Sequence, residues 1–113
     1  MKVAVIGSRS CKVDIAEYLP EDTTEIISGG AMGIDSCAKK YAKAHGIKYT
    51  EFLPDYEKNG RQAPILRNIE IVDYADLVLA FWDGESSGTK FVIGRCIKTG
   101  KKIRVFRKAD GIF

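Results

Sequence analysis

The chain has 113 residues, 45% of them hydrophobic and 29% charged, with a formal net charge of +3. That is the length of one domain, with enough apolar content for a core that needs neither disulfides nor a structural metal, and it excludes a disordered chain. The mild positive charge is spread along the sequence rather than clustered, which favours a small anionic ligand over an extended nucleic-acid surface.

Cys11, Cys37 and Cys96 form no CxxC unit, and with a single histidine in the chain a zinc site is not expected. Their odd number argues against a disulfide framework and for reduced thiols in a cytoplasmic protein. The longest apolar run, Leu77 to Trp82, is far too short to span a bilayer. Met1-Lys2-Val3 leads straight towards a strand, with no signal-peptide pattern.

In chain order, strands and helices alternate. Lys2 to Ile6 is a short apolar strand ending in Gly7-Ser8-Arg9-Ser10. Ile15, Ala16 and Leu19 then mark a short helical face stopped by Pro20. Glu25 to Ser28 is the second strand, followed by the glycine-rich turn Gly29-Gly30-Ala31-Met32-Gly33. Those glycines leave no side chains between main-chain N–H groups and an approaching ligand, and the helix start behind them attracts anions. The alternative is that they serve only a tight strand-to-helix turn.

Ile34, Cys37, Ala38, Tyr41 and Ala42 share one face of the next helix, with Gly46 after its end. His45 reads as a helix-end residue rather than a catalyst. A third strand, Lys48 to Leu53, precedes a polar loop from Pro54 to Gln62. Pro64 suits the first turn of a helix whose apolar residues include Ile65, Ile69 and Val72. Asp76 to Trp82 is a nearly continuous apolar run, the pattern of a strand buried on both faces. After Asp83-Gly84-Glu85-Ser86-Ser87-Gly88 comes a helix from about Thr89 to Thr99, and Lys102 to Phe106 is the last strand.

Five strands with four intervening helices describe an α/β chain: a single minimal Rossmann-like domain over 1–113, with a parallel sheet and helices on both faces. Right-handed crossovers make 3-2-1-4-5 the economical strand order. The loops after strands one, two and four then meet at the carboxyl edge of the sheet, a nucleotide-sized anion site.

Arg9 and Arg67 are candidate phosphate clamps, against the alternative of surface ion pairs. Ser8, Ser87 and Thr89 have hydroxyls for a phosphate or for capping helices. Asp35 fixes its helix start more readily than it meets an anion. Asp83 and Glu85 are the carboxylates of the presumed crevice placed for ribose hydroxyls or acid–base work, with a solvated loop as the other reading. Trp82 and Tyr56 have rings that stack a base, though Trp82 ends a buried strand and also fits the core.

Gly7-Ser8-Arg9, Ser28-Gly-Gly-Ala-Met-Gly-Ile-Asp35, Arg67-Asn68 and Gly88-Thr89 together resemble the SLOG superfamily, specifically its small YspA-like members. The likeness runs from Lys2 to about Phe106. It implies a Rossmann-like fold that binds a nucleotide or nucleotide-derived ligand through these loops, as a sensor. The contacts it implies are Gly7, Ser8, Arg9, Ser28, Gly29, Gly30, Met32, Gly33, Asp35, Arg67, Asn68, Trp82, Asp83, Ser87, Gly88 and Thr89. The superfamily also holds the DNA-processing protein A family and the Lonely Guy phosphoribohydrolases, and pairing into a homodimer is expected by analogy with it.

Against the Lonely Guy pattern the arginine and the Gly-Thr pair are present, but Val92 stands where the catalytic glutamate belongs. A valine moves no proton, so an N-glycosidase or phosphohydrolase would have to use Asp83, Glu85 or Arg67 instead. A third reading, a DNA-binding adaptor like the recombination mediators, is disfavoured by the scattered charge and by the lack of those proteins' further domains.

Overall fold

A computed structural model describes residues 1–8, 13–29 and 34–107. The strands are β1 (Lys2–Gly7), β2 (Glu25–Ser28), β3 (Lys48–Glu51), β4 (Leu77–Trp82) and β5 (Ile103–Arg107). All neighbouring pairs are parallel, and the order is β3-β2-β1-β4-β5, as expected from right-handed crossovers. The helices are α1 (Ile34–Ala44), α2 (Tyr56–Asn59), α3 (Ala63–Tyr74) and α4 (Ser87–Thr99).

Alternation along the central strands divides the core into two layers. Val3 and Val5 of β1 and Leu77, Leu79 and Phe81 of β4 face α1, which meets them with Ile34, Ala38 and Ala42. Ala4, Ile6 and Val78 point the other way, against Ile71 and Val72 of α3 and Val92 and Cys96 of α4. Helices therefore cover both faces, which is why β4 is apolar at almost every position. Burial also pushes the Cys96 thiol above its ordinary pKa, so this cysteine is a core residue.

Four local differences from the sequence expectation have physical reasons. The stretch around Ile15 is a single 3₁₀ turn, Ile15–Glu17, with Asp14 Oδ1 accepting from the Ala16 amide. β3 stops at Glu51; Phe52 donates one more bond to Ser28 O at 2.9 Å before the chain turns away at Leu53-Pro54. The polar loop contains α2, capped by Asp55 Oδ1 accepting from Lys58 N at 3.1 Å, and a 3₁₀ turn, Gly60–Gln62. α3 buries Ile71 and Val72 and leaves Ile65 46% exposed, so its inner face is rotated from the one the apolar spacing suggested. Among the described residues no helix is long and apolar enough to cross a membrane.

Candidate functional site

At the carboxyl edge of the sheet, between β1, β2, α3 and α4, lies a cavity of about 210 Å³. Seven of the residues named from the sequence line it: Gly7, Gly29, Asp35, Arg67, Asn68, Gly88 and Thr89. Ile6, Ile71 and Ser86 complete the wall. The two apolar ones gave no sequence signal beyond core periodicity.

Close approach explains two of the glycines. A Cβ on Gly7 would stand 2.3 Å from Ile34 Cγ2, so α1 can begin over the end of β1 only because that carbon is missing. A Cβ on Gly29 would stand 2.5 Å from Arg67 Nη1. Arg67 reaches from α3 across the ends of two strands, donating from Nη1 to Gly29 O at 2.8 Å and Phe52 O at 3.4 Å, and from Nε to Asn68 Oδ1 at 2.8 Å. It is thus a strut as well as a cavity wall. Its Nη2 and the Asn68 side-chain amide have no hydrogen-bond partner among the described residues.

α4 supplies the opposite wall. The first N–H groups of any helix need partners from outside it. Here Ser86, the residue before the helix, makes no side-chain cap, and the amides of Ser87, Gly88 and Thr89 are unpartnered among the described residues. Thr89 is 3% exposed, lines the cavity, and its hydroxyl also lacks a partner among those residues. Gly88 differs from Gly7 and Gly29, because a Cβ there would meet nothing within 4 Å. No packing among the described residues requires a glycine there.

The remaining named residues brace the walls. Ser8 links β1 to β4: its N–H donates to Phe81 O at 3.0 Å and its Oγ accepts from Asp83 N at 3.2 Å. Ser28 is fully buried and shares a hydrogen bond with the Tyr49 hydroxyl across β2 and β3. Burial, with the charges of Glu51 and Asp35, pushes that phenol up to about 12 despite the Ser28 bond. Asp83 Oδ1 accepts from Glu85 N at 2.9 Å and Ser86 N at 2.8 Å, shaping the loop that leads into α4. Trp82 Nε1 donates to Ser86 O at 3.0 Å, and the Arg107 guanidinium lies 5.4 Å over the Trp82 ring.

Neither Asp83 nor Glu85 lines the cavity; the carboxylate that does is Asp35, 6% exposed in the first turn of α1. Ser87 and Glu85 are on the solvent side. Tyr56 is 61% exposed on α2, away from this wall. Val92 is fully buried in the α3–α4 layer, a packing position rather than a catalytic one. Arg9, Gly30, Met32 and Gly33 lie outside the described residues. Among the described residues no group of three or more His, Cys, Asp and Glu is placed to hold a metal ion.

Residues 1–55 match the family described as DNA recombination-mediator protein A. The chain is related to the DNA-processing protein A family within the SLOG superfamily. A gene 61 protein of Mycobacterium phage D29 is 38% identical to it over 81 residues, 66% of this chain. The match covers 65% of that relative, so the chain spans just under two thirds of its length. No solved structure matches the chain. The recombination-mediator match takes in β1 to β3 and α1, with Gly7, Gly29 and Asp35; Arg67, Asn68, Gly88 and Thr89 lie beyond it.

Proposed function

We propose that the cavity binds the phosphate of a nucleotide or nucleotide-derived ligand. The observation that carries this reading is the unpartnered first turn of α4, with the Thr89 hydroxyl beside it and Arg67 lining the same cavity. Amides at a helix start and a guanidinium on the wall of the same cavity form charge-assisted hydrogen bonds to an anion. Gly88 leaves the room for a close approach. Binding is favoured over hydrolysis because Asp83 is engaged with its own loop, Glu85 faces solvent and Val92 is in the core.

A thermal-shift screen of nucleotides, cyclic nucleotides and sugar nucleotides, with mass spectrometry of each incubated compound, tests it. Stabilisation without turnover is expected; no shift with any phosphate compound refutes the reading, and a converted compound replaces binding with catalysis.

The family match over residues 1–55 favours a second reading, in which the same cradle holds a backbone phosphate of single-stranded DNA. Fluorescence anisotropy with a short oligonucleotide discriminates them. Affinity that falls steeply with salt supports the DNA reading, and no binding at low salt removes it.

A further inference from the structure

Small-molecule sites are commonly about 300–1,000 Å³. The cavity at α4, at about 210 Å³, holds the phosphate end of a nucleotide but falls short of a whole one. A second cavity of about 240 Å³ lies at the same edge of the sheet, between α3 and the segment from Leu53 to Asn59. Arg67 lines both. With Nη1 bonded to Gly29 O at the end of β2 and Phe52 O just after β3, its side chain is common to the two walls.

The two cavities differ in chemistry. The first offers the α4 amides and the Arg67 cation, with one carboxylate, Asp35, also on its wall. The second is charge-balanced: Lys58 and Arg67 against Asp55 and Glu70, with Asn59 able to donate and accept. Lys58 Nζ, the Asn59 side chain and the Glu70 carboxylate make no bond to another described residue, whereas one Asp55 oxygen caps α2. A second phosphate there would face two carboxylates. A neutral group rich in donors and acceptors, the sugar and base of a nucleoside, matches it. Leu53, 62% exposed at the lip, adds the apolar surface on which a base ring rests.

Building on the phosphate-binding reading, we infer that the site is bipartite: it takes a nucleoside 5′-phosphate with its phosphate at the α4 turn and its nucleoside beyond Arg67, beside Leu53 and Asn59. The direction of binding is then set, with the base towards β3 and the phosphate at the β1–β4 side.

Amide chemical-shift titration tests this, using inorganic phosphate and the four common nucleoside 5′-monophosphates on the wild-type chain and on Leu53→Asp and Asn59→Ala. Both substitutions fall in the segment after β3, outside the core, and the spectra themselves report folding. Phosphate is expected to move the amides of Gly88 and Thr89 alone, and at least one monophosphate to move these and those of Lys58 and Asn59, binding about tenfold tighter than phosphate. In both variants that gain is lost while phosphate affinity stays within about twofold of wild type. If phosphate binds at α4 and no monophosphate binds tighter or shifts Lys58 and Asn59, the bipartite site is refuted and the phosphate reading stands. A gain that survives both substitutions also refutes it. If neither probe shifts any of these amides, both readings fall.

Discussion

The two edges of the sheet are built from the same strands and treat their polar groups in opposite ways. At the amino edge, Glu25 is 7% exposed yet fully partnered: Thr50 Oγ1 donates to it at 2.6 Å, Tyr74 OH at 2.8 Å, and Lys48 Nζ lies 3.6 Å away. Nearby, Lys2 N donates to Asp76 Oδ2 at 2.8 Å. At the carboxyl edge, Thr89 is just as buried and its hydroxyl is unpartnered among the described residues, as are three amides of α4 and one nitrogen of Arg67. The closed edge reads as architecture, and the open edge leaves its donors to solvent or to a ligand.

Substitutions at the two edges therefore separate stability from binding. The largest effect is expected from Arg67→Ala. It removes a phosphate donor, weakening a nucleotide by roughly 1.5 to 3 kcal/mol, and it leaves the carbonyls of Gly29 and Phe52 without that donor, costing about 1 kcal/mol of stability. Calorimetric titration together with urea unfolding reads both, and unchanged affinity would remove Arg67 from the site.

Gly7→Ala comes next. Its new carbon collides with Ile34, so α1 must shift, and unfolding should show a loss of about 1–3 kcal/mol. A neutral result would mean the start of α1 is looser than its packing indicates.

Glu25→Gln probes the closed edge. Burial pushes this carboxyl up, but the bonds from Thr50 and Tyr74 and the charge of Lys48 together outweigh that and hold its pKa below the ordinary 4.5. A carboxyl lower in the folded than in the unfolded chain contributes stability that is complete above the unfolded value and disappears as pH falls through the folded one. Asp76, held low by the Lys2 amide, adds a slope of the same sign, so the informative quantity is the difference between wild type and variant. The variant should be less stable by about 1 kcal/mol at pH 7, the gap closing below pH 4.5, with ligand affinity unchanged. Altered affinity would show that the edges are not independent.

The smallest change in stability is expected from Thr89→Val. It exchanges an unpartnered hydroxyl for a methyl of the same shape, so the fold should hold within about 0.5 kcal/mol or gain slightly, while a phosphate ligand is lost by about 1 kcal/mol. Clear destabilisation would mean the hydroxyl has a structural partner after all.

Much of this arrangement is written in the order of residue types. The unbroken apolar run of β4 and the spacing of Ile34, Ala38 and Ala42 mark a strand covered on both faces and the helix that covers it, and the four connections then admit one economical topology. The glycines and hydroxyls at three strand ends are equally visible. What each one does is not, because that depends on which group stands opposite in space. Ser28 lies close to the cavity in sequence and is turned to Tyr49. Asp83 looks like a ligand for ribose and is engaged by the amides of its own loop. Asp35, read as a helix-start residue, lines the wall. Leu53 reads as the end of the third strand and Asn59 as part of an undistinguished polar loop; the structure ends β3 at Glu51 and, with α2 capped by Asp55, puts both residues on one wall beside α3.

The central claim, that the first turn of α4 and Arg67 hold an anion between them, is tested most directly by a crystal soaked in tungstate or selenate. A single anomalous peak within hydrogen-bonding distance of Thr89 Oγ1, the Gly88 amide and Arg67 is expected. Peaks confined to surface lysines, with nothing between α4 and α3 at saturating anion, would contradict it.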